Sequence, residues 1–72
     1  MVSRASQLIL EWMKKEGKNQ AQAARHVAVS QGEISRYLSG RRKPDAITRQ
    51  VFMLKLGVPF GAWEERALRK AA

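Results

Sequence analysis

The sequence of 72 residues predicts an all-α fold, a compact bundle of five short helices in one domain covering residues 1–72. Three observations lead there. Apolar residues recur at spacings of three and four, and no segment alternates with period two. Residues that cap helix starts (Ser, Asn, Asp) and glycines that end helices alternate along the chain at helical distances. The connections left between those signals are only a few residues long, as in small helical domains.

The first helix is expected over about Ser3–Glu16, with Ala5, Leu8, Ile9, Trp12 and Met13 as its core-facing stripe. Ser3 or a neighbour can cap its start, and Gly17 stands where a left-handed residue ends a helix. The second, about Gln20–Val27, follows Asn19 as N-cap, with Gln22 completing a capping box and Ala24 and Val27 facing inward. Ala28-Val29-Ser30 is long enough only for a tight turn. The third helix, Gln31–Ser39, is capped by Ser30 and Glu33 in the S-x-x-E pattern; it turns Ile34, Tyr37 and Leu38 inward and ends at Gly40. A basic loop, Arg41-Arg42-Lys43-Pro44, leads to Asp45, the cap of a fourth helix over Ala46–Leu56. Ile47, Val51, Leu54 and the following Val58 are its expected inward positions. Pro59 then suits the start of a fifth helix, about Pro59–Arg69, carrying Phe60, Trp63, Ala67 and Leu68.

Composition narrows the function. There is no cysteine, and the single histidine, His26, has only six scattered acidic residues around it in sequence, so no metal or other cofactor is expected. No Ser/His/Asp set, paired carboxylates or Gly-rich phosphate loop supports an enzyme. No apolar run approaches the ~18 residues of a membrane span. Met1-Val2-Ser3-Arg4 leads straight into an amphipathic helix, so no signal peptide is read and a cytoplasmic location is expected. Fourteen Lys and Arg against six Asp and Glu give a net charge of +8. Self-repulsion at that density points to an acidic partner, either nucleic acid or an anionic membrane surface. Glu64 and Glu65 weaken the case for the C-terminal stretch as a membrane-surface helix.

The informative stretch runs from Asn19 to Gly40. Two short capped helices flank a tight turn, with small Ala24 facing the second helix and Ile34 as its core anchor. That is the layout of a helix-turn-helix whose second helix enters the major groove. The sequence resembles the phage-repressor and Cro superfamily, also called lambda-repressor-like or XRE-type. The resemblance rests on Gln20–Pro44, above all on Val29-Ser30-Gln31, Ile34-Ser35-Arg36-Tyr37 and Gly40-Arg41-Arg42-Lys43-Pro44, and extends more loosely through Leu56-Gly57-Val58-Pro59 and Trp63. One residue departs from the pattern. The family usually has glycine in the turn where this chain has Ala28, and a positive φ there would strain alanine by about 1 kcal/mol.

The resemblance implies which residues meet double-stranded DNA. Gln31, Gly32, Glu33 and Arg36 fall at base-reading positions; a glutamine amide suits adenine, and an arginine suits guanine O6 and N7. Gly32 would let the helix approach closely, and Glu33 would cap the helix as well as face the groove. Gln20, Ser30, Ser35, Ser39, Arg41, Arg42 and Lys43 fall at positions that grip phosphate. The implied function is a sequence-specific transcriptional regulator, Cro-like, repressing by promoter occlusion. A lone module offers few base contacts, so a homodimer on an inverted-repeat operator is expected, with no small-molecule ligand evident. Phe52, Met53, Phe60, Trp63 and Leu68 exceed what a small core absorbs and are the interface candidates, although Phe60 and Trp63 could equally close the core of one chain. An antitoxin or controller-type autoregulator of the same fold, and a protein-interaction module that does not bind DNA, are the alternatives. The second predicts an apolar or acidic first turn of the third helix, where this chain has Gln31-Gly32-Glu33.

Overall fold

A computed structural model describes residues 2–67. Among the described residues four α-helices follow one another, α1 (Arg4–Glu16), α2 (Gln20–His26), α3 (Gln31–Ser39) and α4 (Ala46–Leu56), and a 3₁₀ helix (Phe60–Glu64) comes last. Each α-helix begins where a side chain accepts a backbone N–H three residues ahead. Ser3 accepts from Ser6, Asn19 from Gln22, Ser30 from Glu33 and Asp45 from Thr48. Gly17, Gly40 and Gly57 end α1, α3 and α4 with φ of 63°, 79° and 70°. The left-handed conformation that turns the chain there is open to glycine at little cost.

The core gathers one face of each element. Ala5, Ile9 and Met13 of α1 meet Ala23, Ala24 and Val27 around α2, Ile34, Tyr37 and Leu38 of α3, Phe52 of α4, and Val58, Ala62 and Trp63 beyond it. Leu8, Trp12, Val29, Val51 and Leu56 pack against its margin. Ser6 is the one buried polar residue among the described residues. Its hydroxyl donates to the Tyr37 carbonyl at 2.6 Å, tying α1 to the end of α3.

Two expectations need correction. The first concerns α4, whose bounds agree but whose face is rotated. Ile47 and Leu54, expected inside, are 76% and 74% exposed, while Phe52 is fully buried. Phe52 lies two residues from Leu54, roughly 160° around the helix, so burying one exposes the other. Aromatic packing decides the choice. Phe52 meets Trp63 edge-on at 5.2 Å and Tyr37 at 6.1 Å, and Tyr37 meets Trp63 at 6.0 Å. Such T-shaped contacts add to the apolar area that three rings bury.

The second correction concerns the fifth helix. The chain makes only the 3₁₀ turn Phe60–Glu64, and Glu65 is extended at ψ 148°. Arg66 then bridges Ser3 in antiparallel fashion. The Arg4 N–H donates to the Glu65 carbonyl at 2.7 Å and the Ala67 N–H to the Val2 carbonyl at 3.3 Å. Gly61 lowers helix propensity inside the segment. Pairing with the start of α1 satisfies the backbone that a longer helix would have satisfied internally. Leu68 and the rest of the predicted helix lie outside the described residues.

Candidate nucleic-acid interface

The turn between α2 and α3 is held by its own backbone. The N–H groups of Val27, Ala28 and Val29 donate to the carbonyls of Ala23, Arg25 and Ala24 at 3.2, 3.3 and 3.0 Å. Ala28 has φ 58°, the only positive value at a residue other than glycine among the described residues. The strain expected of alanine at this position is therefore present. Val29 is half-buried against the core and carries the chain into Ser30.

The start of α3 is a closed capping box. Ser30 Oγ accepts the Glu33 N–H at 3.1 Å, and Glu33 Oε1 accepts the Ser30 N–H at 3.4 Å and the Ser30 hydroxyl at 3.2 Å. The other carboxylate oxygen accepts the Tyr37 hydroxyl at 3.2 Å. Glu33 thus joins the cap to the buried aromatic cluster. These bonds hold its pKa below the usual carboxylate value, the Ser30 backbone N–H contributing most. Burial pushes the Tyr37 phenol up, and its bond to Glu33 pushes the same way. The Tyr37–Glu33 contact was readable as an i, i+4 pair. Ser6 was readable too, because it continues the 3–4 spacing of Ile9 and Met13.

With the cap and the inner face fixed, the outer face of α3 is determined. Gln31, Gly32, Ser35, Arg36 and Ser39 are all exposed. The Ser39 hydroxyl donates to the Arg36 carbonyl at 3.2 Å. The Arg36 side chain makes no hydrogen bond or ion pair among the described residues. A Cβ built on Gly32 would meet only Ser30 Oγ, at 4.0 Å. Nothing among the described residues therefore requires glycine at this helical position, where it is less stable than alanine. Gln20, the first residue of α2, is half-buried, and Ser30 and Glu33 are spent on the cap.

Beyond Gly40 the basic loop divides. Arg41 and Arg42 are exposed, and their side chains form no ion pair among the described residues. Lys43 does form one. Its ammonium lies 2.6 Å from Glu64 Oε2, and Arg49 reaches Glu64 Oε1 at 2.9 Å. Arg49 also donates through Nε to the Pro44 carbonyl at 2.9 Å and lies 5.7 Å from the Phe60 ring centroid. Lys43 first and Arg49 second hold the Glu64 pKa below its usual value. Sequence reasoning missed Arg49 and Glu64, which stand 15 residues apart, beyond any local pattern.

The interface candidates separate in the same way. Phe52 and Trp63 are 0% and 1% exposed and lie in the core of the chain. Met53 and Phe60 are 40% and 42% exposed, and Leu68 lies outside the described residues.

A capped, rigidly mounted α3 with a polar outer face, preceded by α2 and a tight turn and followed by exposed arginines, defines the helix-turn-helix class of domain. Comparison with known families agrees. A helix-turn-helix family model matches residues 9–63, and the chain belongs to this family, of XRE-type, lambda-repressor/Cro-like domains. The family is one of DNA-binding transcription regulators. No curated protein and no solved structure matches the chain. No described helix is long and apolar enough to cross a membrane.

Proposed function

We propose that the chain is a sequence-specific, Cro-like repressor that binds an inverted-repeat operator as a homodimer. The observation that carries the reading is the outer face of α3. Gln31, Gly32 and Arg36 stand exposed on a helix whose caps and inner face are held inside the chain, and Arg41 and Arg42, which form no ion pair among the described residues, follow at its end. In this reading Gln31 and Arg36 read base edges, Gly32 lets the α3 backbone approach the groove, and Glu33 fixes the first turn from which Gln31 projects. Gln20, Ser35, Ser39, Arg41, Arg42 and Lys43 grip phosphate, and Ser30 acts through the cap.

Dimerisation would double the base contacts and set two recognition helices about 34 Å apart, one turn of DNA. Exposed apolar side chains on and after α4 support it. Ile47 and Leu54, seven residues apart, share one face of α4 with Gln50 and Val51 between them, and Met53 and Phe60 are exposed as well. A stripe of α4 with no charged residue between Ile47 and Leu54 suits self-association in a chain of net charge +8.

Selection of bound duplexes from a random pool tests both claims. The expected result is one motif with two inverted half-sites. A pool that emerges without sequence preference at about 150 mM salt removes sequence-specific readout. Light scattering that finds only monomer, even on the selected duplex, removes the dimer.

A further inference from the structure

We infer that Glu64 is an intramolecular stand-in for a DNA phosphate, holding the Lys43 ammonium in the free chain so that DNA must displace a carboxylate to engage it. The inference rests on the DNA-binding reading above and adds to it a residue outside the helix-turn-helix that sets affinity. Lys43 follows Arg41 and Arg42 on the loop leaving α3, yet it differs from both in facing a carboxylate at 2.6 Å. An N–O distance of that order is what an ammonium makes to a phosphate oxygen as well. The two cations on Glu64 are held unequally. Arg49 is anchored three ways, by Glu64, by the Pro44 carbonyl and over the Phe60 ring, and its side chain is only 15% exposed. Among the described residues Lys43 pairs with Glu64 alone, and both side chains are 56% exposed. Arg49 therefore keeps Glu64 in place while Lys43 is free to exchange one oxyanion for another.

Exposed ion pairs are weak, so the exchange is feasible, but its cost enters every binding event. A phosphate contact carries no sequence information, so Glu64 lowers affinity for all duplexes by the same factor. It also blunts the salt dependence, because freeing the carboxylate restores an anion that takes up a cation as DNA releases one.

Glu64→Gln keeps the shape and can still accept from Arg49, while Arg49 retains Pro44 and Phe60. The test measures affinity of the whole chain for a selected duplex and a scrambled one across a salt series. Wild type, Glu64→Gln, Lys43→Ala and the double variant are compared, with Glu11→Gln as a control that removes the same charge from α1. The expected result is roughly two- to fivefold tighter binding by Glu64→Gln on both duplexes, with a salt slope steeper by up to about one. The gain should vanish in the Lys43→Ala background. Equal gains in Glu11→Gln, or in the Lys43→Ala background, would show a general field effect and overturn the inference. Weaker binding by Glu64→Gln would overturn it as well, since Glu64 would then be positioning Lys43 for DNA. A wild-type chain that binds no duplex at low salt defeats the DNA-binding reading itself, whereas failure of the variants alone defeats only the role of Glu64.

Discussion

Ala28→Gly should stabilise the chain. Ala28 holds φ 58° in the turn that joins α2 to α3. An L-residue in that conformation costs about 1–2 kcal/mol, because its Cβ crowds the following carbonyl. Glycine removes the strain but gives the unfolded chain more freedom, which offsets about 0.4–1 kcal/mol. The methyl group contributes little else, since Ala28 is exposed, and the turn's hydrogen bonds run between backbone groups that glycine retains. The net gain is about 0.5–1 kcal/mol, or roughly 2–8 °C in melting temperature for a domain of this size. Thermal and urea unfolding followed by circular dichroism measure it. Ala28→Val provides the opposite arm, because a β-branched residue at positive φ is more strained than alanine and should melt lower. Operator affinity should stay the same in Ala28→Gly, because the chain already follows the path that glycine prefers. A glycine variant that melts at or below the wild-type temperature would refute the strain argument.

Other substitutions divide stability from recognition. Gly32→Ala should raise the melting temperature, since alanine is favoured by up to about 1 kcal/mol within a helix and the added Cβ meets only Ser30 Oγ at 4.0 Å. It should also weaken operator binding, and undiminished affinity would show that α3 does not approach DNA closely at Gly32. Arg36→Ala should cost about 1–3 kcal/mol on the operator and relax one base position, whereas Arg41→Ala should weaken all duplexes alike and lower the salt slope by about one. Identical losses on operator and scrambled DNA for Arg36→Ala would remove its base-reading role. In a pH series without DNA, the melting temperature should fall on both flanks. Ser30 lowers the Glu33 pKa, Thr48 that of Asp45 and Lys43 that of Glu64, all in the folded chain. Unfolded carboxylates take up protons first as the pH falls, so this stability is complete above the ordinary carboxylate pKa and is lost as pH drops through the lowered values. Burial raises the Tyr37 pKa, so its contribution is complete below the ordinary phenol value and is lost as pH rises through the raised one. A melting temperature constant from about pH 7 to 3 would contradict the carboxylate assignments.

The parts legible in the sequence are those set by bonds between near neighbours. The bounds Gln31–Ser39 follow from Ser30 and Glu33 at one end and Gly40 at the other, all within one turn of the helix they terminate. The same holds for Asn19 with Gln22 and for Asp45 with Thr48. What was illegible depends on partners far along the chain. The rotation of α4 is fixed by Phe52 against Trp63 and Tyr37, and spacing alone could not rank Phe52 above Ile47 and Leu54, which share a face. The fifth helix gives way to a bridge with Ser3, at the opposite end of the chain.

That division bears on how the proposed readout and grip would respond to change. Gln31 and Arg36 stand on a helix whose start is fixed by Ser30 and Glu33 and whose inner face is packed by Ile34, Tyr37 and Leu38. None of those bonds uses the outer side chains, so residues there can be exchanged without disturbing the frame. The loop after Gly40 is different. Lys43 is held through Glu64, and Glu64 sits on the segment that places Trp63 in the core. A substitution that loosens Trp63 should therefore reach the loop charge as well as the core, while leaving the α3 cap intact. In the proposed reading, base preference can then drift by single outer-face substitutions, whereas the share of phosphate affinity that Lys43 supplies is bound to the packing that folds the chain.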